Sequence, residues 1–368
     1  MITLQGKSRI ASVSVAIPPY RLHQSKALEI LSRHYSDKLS PRNFEIMQKV
    51  FTHPGIRRRY LAIENPESLV SEEPDARIAR FTHWAVKLSR EAILNALKKA
   101  GLTVNDVCGL VVNTCTGYIC PGISTYLLEE LGLPRETRVY DLVGSGCGGA
   151  IPNLQICENI LRQNGDYAVV SVSVEICSAT FQMGNDPGLI ISNAIFADGA
   201  AAAVLWNQSR GLEMVFSMGT YATEHRDAVR YIHKNGQLYN QLSLSLPHIA
   251  SKAVAGLIEK LLEPLNLRVG DVKHWALHPG GEKIINAVKD TIGLTEKQVH
   301  ASRAILTEYG NMSSPTVWFV LQRILEDDIA PGDWIIMVAF GAGLSAHAFL
   351  LRAGDDIEDY RDWLQVDK

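Results

Sequence analysis

Several signals are missing from this 368-residue chain, and each absence removes a class of function. No apolar run is long enough to span a bilayer. The first residues, Met1-Ile-Thr-Leu-Gln-Gly-Lys-Ser-Arg9, lack the apolar core of a signal peptide, so a cytoplasmic location is expected. Charge of one sign is also missing. The 36 Lys and Arg against 39 Asp and Glu leave a net charge of −3, which gives no global field for nucleic acid or an anionic membrane. The six cysteines (108, 115, 120, 147, 157 and 177) lack the paired spacing with histidine of a zinc site, so no metal is expected. They are expected to be reduced, most of them as small core residues. No low-complexity tract or Pro/Ser-rich linker divides the chain.

What remains is the composition of a globular enzyme: 46% hydrophobic and 20% charged residues, in a length suited to one large domain or two fused halves. Strand-like runs at Ile10–Ala16, Gly109–Asn113, Tyr167–Val174, Ala200–Trp206, Lys273–Leu277, Trp334–Ala339 and Ser345–Leu351 alternate with helical periodicity. The helical stretches are Thr82–Ala100, Ser124–Leu131, Ile151–Gln163, Pro247–Leu262, Gly281–Thr291 and Ser314–Glu326. Alternation of this kind indicates an α/β fold. An internal duplication is also suggested. Each half has a Gly-containing corner opening a helix, then a Gly-rich turn into an apolar strand. The halves divide at 1–206 and 207–368.

The first corner, Leu142-Val-Gly-Ser-Gly-Cys147-Gly-Gly149, presents a cysteine without bulky neighbours. The positive end of the helix that follows is expected to lower its thiol pKa. Two further corners carry reactive groups: His278-Pro-Gly-Gly281, and Tyr309-Gly-Asn311-Met-Ser-Ser314. Singly, the histidine reads as a strand end and the asparagine as an N-cap or left-handed turn residue. All three lie where strand-like runs meet helices, the usual place for an α/β active site. Cys, His and Asn suit thioester chemistry, with a thiolate taking an acyl group and two neutral donors stabilising an enolate or oxyanion. A cysteine hydrolase would use the same three residue types.

The motifs resemble the type III polyketide synthases, the chalcone synthase-like branch of the thiolase superfamily, and a bacterial-type member. The match covers Gly146-Cys147, Phe196-Ala-Asp-Gly-Ala-Ala-Ala202, His278-Pro-Gly-Gly281, Tyr309-Gly-Asn-Met-Ser-Ser314 and, less fully, Phe340-Gly-Ala-Gly-Leu344. The resemblance implies a thiolase-like five-layer αβαβα fold with two pseudo-repeated halves, and a homodimer. It implies loading of a starter from acyl-CoA onto Cys147 and extension with malonyl-CoA, His278 and Asn311 promoting decarboxylation, followed by cyclisation or lactonisation. CoA thioesters would be the substrates, with no cofactor. Phe196 matches an aromatic gate. Cys115, Glu175, Cys177, Thr180 and Ser313 match cavity walls. Lys49 and His53, just before Arg57-Arg-Arg-Tyr60, match positions facing CoA phosphates.

There are departures from the family pattern. Ala342 replaces a proline, Cys120 replaces the plant enzymes' methionine, and Cys115 and Cys177 replace threonines common in plant chalcone synthases. The stretch from Gly219 to Leu246 matches poorly. A β-ketoacyl-ACP synthase III-like enzyme is the alternative, although its histidine motif is usually His-Gln-Ala-Asn. A non-catalytic acyl-CoA-binding homologue would be expected to lose at least one of the three reactive residues.

Overall fold

The computed structural model describes residues 8–163, 165–208, 210–327 and 329–357. In chain order the first half contains β1 (Arg9–Ala16), β2 (Tyr20–His23), α1 (Gln24–Tyr35), α2 (Pro41–Phe51) and β3 (Arg58–Leu61). It continues with α3 (Pro74–Ala100), β4 (Val107–Asn113), α4 (Ile123–Leu131), β5 (Arg138–Leu142) and α5 (Ala150–Gln163). β6 (Ala168–Ile176), α6 (Pro187–Ile195) and β7 (Asp198–Leu205) follow. The second half contains β8 (Leu212–Tyr221), β9 (Val229–Lys234), β10 (Gln237–Leu242), α7 (Leu246–Leu262) and β11 (His274–Leu277). It ends with α8 (Glu282–Ile292), α9 (Glu296–Tyr309), α10 (Thr316–Glu326), β12 (Trp334–Gly341) and β13 (Ser345–Ala353).

Local chemistry accounts for many of these boundaries. α3 starts with Pro74 in its first turn, where a missing N–H costs nothing, and stops at Gly101 in the left-handed conformation. Its sequence-based start at Thr82 is therefore eight residues late. α6 is capped by Asp186, whose side chain accepts from the Gly188 and Leu189 amides, and α9 by a Thr295/Gln298 capping box. Each strand read from the sequence is present to within two residues at either end.

Nine strands follow the order β11-β12-β13-β8-β1-β7-β6-β4-β5, which reads as two sheets meeting at a short seam. β1 pairs with β7 along its length but with β8 only at Arg9 and Ile10. Outward from that seam the two halves repeat each other. β6 is antiparallel to β7 and parallel to β4; β12 is antiparallel to β13 and parallel to β11. A division at 206/207 would cut between β7 and β8.

Side-chain alternation along the strands builds the layers. Val111, Val169, Ala201 and Ala203 face a central layer holding α5 and α10, and Ile335, Met337 and Ala339 reach the same layer from the second sheet. The alternate residues face outward. Leu110, Val112, Val170 and Ala202 pack under α3 and α4, and Ile336, Val338 and Leu350 under α7 and α8. The result is a five-layer αβαβα thiolase-type fold with two pseudo-repeated halves. α1, α2 and α6 form an additional cluster with β2 and β3 against the first half. The glycine-rich corners that open α5 and α10 therefore come together at the middle of the molecule.

Candidate active site

Cys147 sits on a single helical turn, Gly146–Gly148, between β5 and α5. Gly146 has φ +55, a conformation that disfavours a side chain. Gly341, at the end of β12, lies against the back of this corner: a Cβ there would stand 2.1 Å from the Ser145 carbonyl oxygen and 2.5 Å from the Gly148 nitrogen. The second half thus presses on the nucleophile loop through bare backbone. From the α10 side, Ser313 donates its hydroxyl to Cys147 Sγ at 3.3 Å. Ser313 itself adopts φ +59, held by its amide donating to Asn311 Oδ1 at 2.8 Å.

Asn311 forms an isolated parallel bridge with Phe196, its amide donating to the Ile195 carbonyl at 2.8 Å and its carbonyl accepting from Ala197 N at 2.9 Å. Its side-chain amide reaches the Gly280 carbonyl at 3.3 Å, two residues beyond His278. His278 continues β11, its N–H donating to the Val338 carbonyl at 2.9 Å, and its ring meets Phe340 edge-on with centroids 5.3 Å apart. Phe340 backs onto Gly148 in turn. Cys147, His278 and Asn311 are in this way gathered at one place from three elements.

Their electrostatics differ from the expectation at Cys147. Burial pushes its thiol up to about 12, aided by nearby Glu175, while hydrogen bonding from Ser313 and, more weakly, Asn311 pulls the other way. Desolvation outweighs the helix terminus, so the resting group is a thiol. His278 is fully buried, and its two ring nitrogens have no hydrogen-bond partner among the described residues. Burial pulls it down to about 3, leaving a neutral imidazole.

A wall of polar groups surrounds the thiol. Glu175 is fully buried and accepts from five donors: Thr114 Oγ1, the Cys115 and Thr116 amides, Thr116 Oγ1 and Ser314 Oγ. Burial raises its carboxyl above the usual range against the pull of those bonds. Cys115 Sγ lies 3.5 Å from Ser313 Oγ. Thr180 donates to the Cys177 carbonyl at 2.9 Å and lies 3.3 Å from the Tyr231 hydroxyl. Cys177, Thr180 and Phe196 also border a mainly apolar cavity of about 60 Å³ under Leu22, Ile30 and Leu69.

Lys49 and His53 stand apart from this group. Lys49 is exposed on the last turn of α2. His53 is also exposed, its Nδ1 3.3 Å from Glu282 at the start of α8. Tyr231, on β9, is a site residue the sequence did not reveal. Its hydroxyl lies 3.3 Å from Thr180 Oγ1 and is pushed well up, first by burial and then by Cys115 and Cys177. It lies in the poorly matching stretch, and an aromatic within a short polar hairpin carries no local signal. All six cysteines are free. Among the described residues no group of three or more His, Cys, Asp or Glu is arranged to hold a metal, and no helix is long and apolar enough to cross a membrane.

Burial of neutral imidazoles has a consequence for stability. His347, packed near Gly148 and Gly219, is likewise pulled down to about 4 by burial. Unfolded, both histidines take up protons below about pH 6.5; folded, they resist until near pH 3 and 4. The stability they contribute is complete above pH 6.5 and is lost as pH falls toward the folded values. At pH 5 each should cost about 2 kcal/mol. Urea unfolding at pH 7 and pH 5 should show His347→Gln and His278→Gln each reducing the acid-induced loss by about that amount. An unchanged loss in both variants would contradict the burial of neutral rings.

Comparison with known proteins agrees with this geometry. Residues 16–269 match the family described as FAE1/type III polyketide synthase-like protein, and residues 213–354 match the C-terminal domain of chalcone and stilbene synthases. A 3,5-dihydroxyphenylacetyl-CoA synthase of Amycolatopsis balhimycina is 30% identical over 94% of this chain and 93% of its own length. A 1,3,6,8-tetrahydroxynaphthalene synthase of Streptomyces peucetius subsp. caesius is 28% identical over 93% and 92%. Among solved structures, PKS-I from the brown alga Ectocarpus siliculosus superposes with a TM-score of 0.87 at 27% identity, covering 96% of this chain and all of that one. The tetrahydroxynaphthalene synthase of Streptomyces coelicolor also gives 0.87, at 22% identity over 94% and 99%, a likeness of fold. The chain belongs to the type III polyketide synthases, condensing acyltransferases of thiolase fold.

Proposed function

We propose that Cys147 carries the growing acyl group while His278 and Asn311 generate the carbon nucleophile that extends it. The observation that carries this reading is a thiol hydrogen-bonded by Ser313 in the same site as a buried neutral imidazole whose ring nitrogens have no hydrogen-bond partner among the described residues. In loading, Cys147 Sγ attacks the carbonyl carbon of a starter acyl-CoA. The thiol proton moves to the departing CoA sulfur as attack proceeds, so no thiolate–imidazolium pair forms in the dry site. A thiol near 12 is a poor nucleophile until that proton moves, so deprotonation accompanies attack.

In extension, the thioester carbonyl of malonyl-CoA accepts hydrogen bonds from the His278 N–H and the Asn311 side-chain amide. Carbon dioxide leaves, and its bonding electrons form an enolate whose oxygen faces those donors. A neutral donor suits this role: it stabilises the anion without quenching it by proton transfer. The enolate carbon then attacks the Cys147 thioester, forming a carbon–carbon bond and expelling the Cys147 thiolate. The product is a β-ketoacyl-CoA, able to reload Cys147 for another round or to cyclise. Substrates are therefore CoA thioesters from the cytosol, and no step calls for a resident cofactor. Lys49 is assigned, with His53, to the CoA-facing surface. Phe196, Cys115, Glu175, Cys177, Thr180 and Ser313 are assigned to the cavity wall.

The two half-reactions separate by residue. Cys147→Ala should lose acylation and all condensation yet keep malonyl-CoA decarboxylation, measured as carbon dioxide release. Asn311→Ala should still acylate Cys147, seen by intact-protein mass spectrometry, with decarboxylation reduced about 10²–10³-fold. A Cys147→Ala protein that no longer decarboxylates would count against this division of labour.

A homodimer is part of the same proposal. Among the described residues β5 is an edge strand, paired with β4 alone, and it exposes Tyr140 with Val143 just beyond it and Tyr118 also exposed. An edge bearing apolar side chains is a template for strand pairing, and a second copy of this chain would satisfy it. Sedimentation should give two chains per particle, and Tyr140→Asp with Val143→Lys should shift the population to monomer. A monomeric parent protein would rule this out.

A further inference from the structure

Arg59 is the third basic residue of the Arg57-Arg-Arg-Tyr60 element, on β3, and nothing in the chemistry above uses it. It is 5% exposed, far more buried than a surface arginine that meets a soluble phosphate. Its guanidinium instead addresses the end of α6. A helix leaves its last carbonyl groups without intrahelical partners, and a cation there also complements the helix dipole. At α6 four consecutive carbonyls are accounted for one by one. Asn193 O accepts from Arg59 Nη1 at 2.7 Å, and Phe196 O accepts from the same nitrogen at 2.7 Å. Ala194 O accepts from Gln24 Nε2 at 2.8 Å. Ile195 O accepts from the Asn311 amide at 2.8 Å. Gln24 is also 5% exposed, and its Oε1 accepts from Arg59 Nε at 2.9 Å, which joins the two side chains into one clamp.

Asn311 takes the one carbonyl that the clamp leaves free. Its position along the chain is further fixed by Gly310, where a Cβ would meet Arg59 Cγ at 2.8 Å and Ile195 O at 2.9 Å. From Asn311 the side-chain amide continues to Gly280, next to His278. We propose that the Arg59–Gln24 clamp on the end of α6 is the positioning device for Asn311, setting where its side-chain amide meets the enolate oxygen. Arg59 touches neither substrate nor thiol in this role, so it is a positioning residue. The fork geometry matters: one planar guanidinium spans two carbonyls and Gln24 at once, which a lysine ammonium cannot reproduce.

The inference rests on the division of labour between Cys147 and Asn311, and its test separates the two. Cys147 acylation by acetyl-CoA and malonyl-CoA decarboxylation are measured on the same preparations of parent protein, Arg59→Met, Arg59→Lys and Gln24→Leu. A displaced amide should lower decarboxylation about 10²-fold in Arg59→Met and about tenfold in Gln24→Leu, while acylation stays within about threefold of the parent. Arg59→Lys should recover only part of the loss. Asp198 lies near Arg59 and stabilises its charge, so Arg59→Met also leaves that carboxylate less compensated. Should that variant not fold, Gln24→Leu decides alone, since it removes hydrogen bonds without removing a charge. Unchanged decarboxylation in a folded Gln24→Leu, or equal loss of both half-reactions, would overturn the positioning role. Absence of decarboxylation in the parent protein would instead strike the underlying division of labour.

Discussion

The hydroxyl of Ser313 reaches Cys147 Sγ at 3.3 Å across the meeting of the two halves, and the whole site depends on that closeness. α5 and α10 share the central layer, each preceded by a corner, so the corners meet at the middle of the fold. Removing water there acts on both reactive groups at once. It disfavours the thiolate of Cys147 and the imidazolium of His278, moving one up to about 12 and the other down to about 3. The resting thiol and imidazole are therefore both uncharged. A hydrolase-like thiolate–imidazolium pair would work against this burial; a carbonyl that becomes an enolate against neutral donors works with it.

Glu175 is the counterweight to this dryness. Four of its donors come from the Thr114–Thr116 turn and the fifth, Ser314, from the second half. Ser314 also accepts from Asn113, which accepts in turn from Asn153 on α5 and Ser173 on β6. Each such bond contributes only about 0.5–1.5 kcal/mol net, but a buried partner left unmade costs about 1–3. The network thus penalises any docking of the halves other than the native one. It fixes the Ser313–Ser314 turn, and with it the hydroxyl that meets the sulfur.

Much of this was legible beforehand, and the remainder was hidden for physical reasons. Strands β1, β4, β6, β7, β11, β12 and β13 and helices α3, α4, α5, α7, α8 and α10 are legible because each is buried on a defined face, so periodicity survives in the residues; β5 and β8 are not among them. The glycine corners carrying Cys147, His278 and Asn311 were visible because close backbone approach restricts residue type. α1, α2, α6 and α9 are not legible in the sequence; the first three pack as a satellite cluster on the first half, and their patterning is set by one another. The β9–β10 hairpin, and Tyr231 on it, carries no alternation that local reading can detect. The thiol state was misjudged because helix polarity is local and desolvation is not. The link from Arg59 to Phe196 spans 137 positions, and no spacing rule reports it.

The central claim is that one partly buried thiol holds an acyl group while a neutral histidine and an asparagine make the nucleophile that extends it. The most direct measurement is a single-turnover quench. Protein acetylated at Cys147 by acetyl-CoA is freed of excess thioester, then mixed with one equivalent of uniformly ¹³C-labelled malonyl-CoA. Released carbon dioxide and all thioesters are followed together by mass spectrometry. The account predicts loss of the acetyl group from Cys147 in step with labelled carbon dioxide, and its recovery in a β-ketoacyl thioester joined to the labelled two-carbon unit. Free acetate appearing in place of the joined product, with Cys147 deacylated by water, would contradict it.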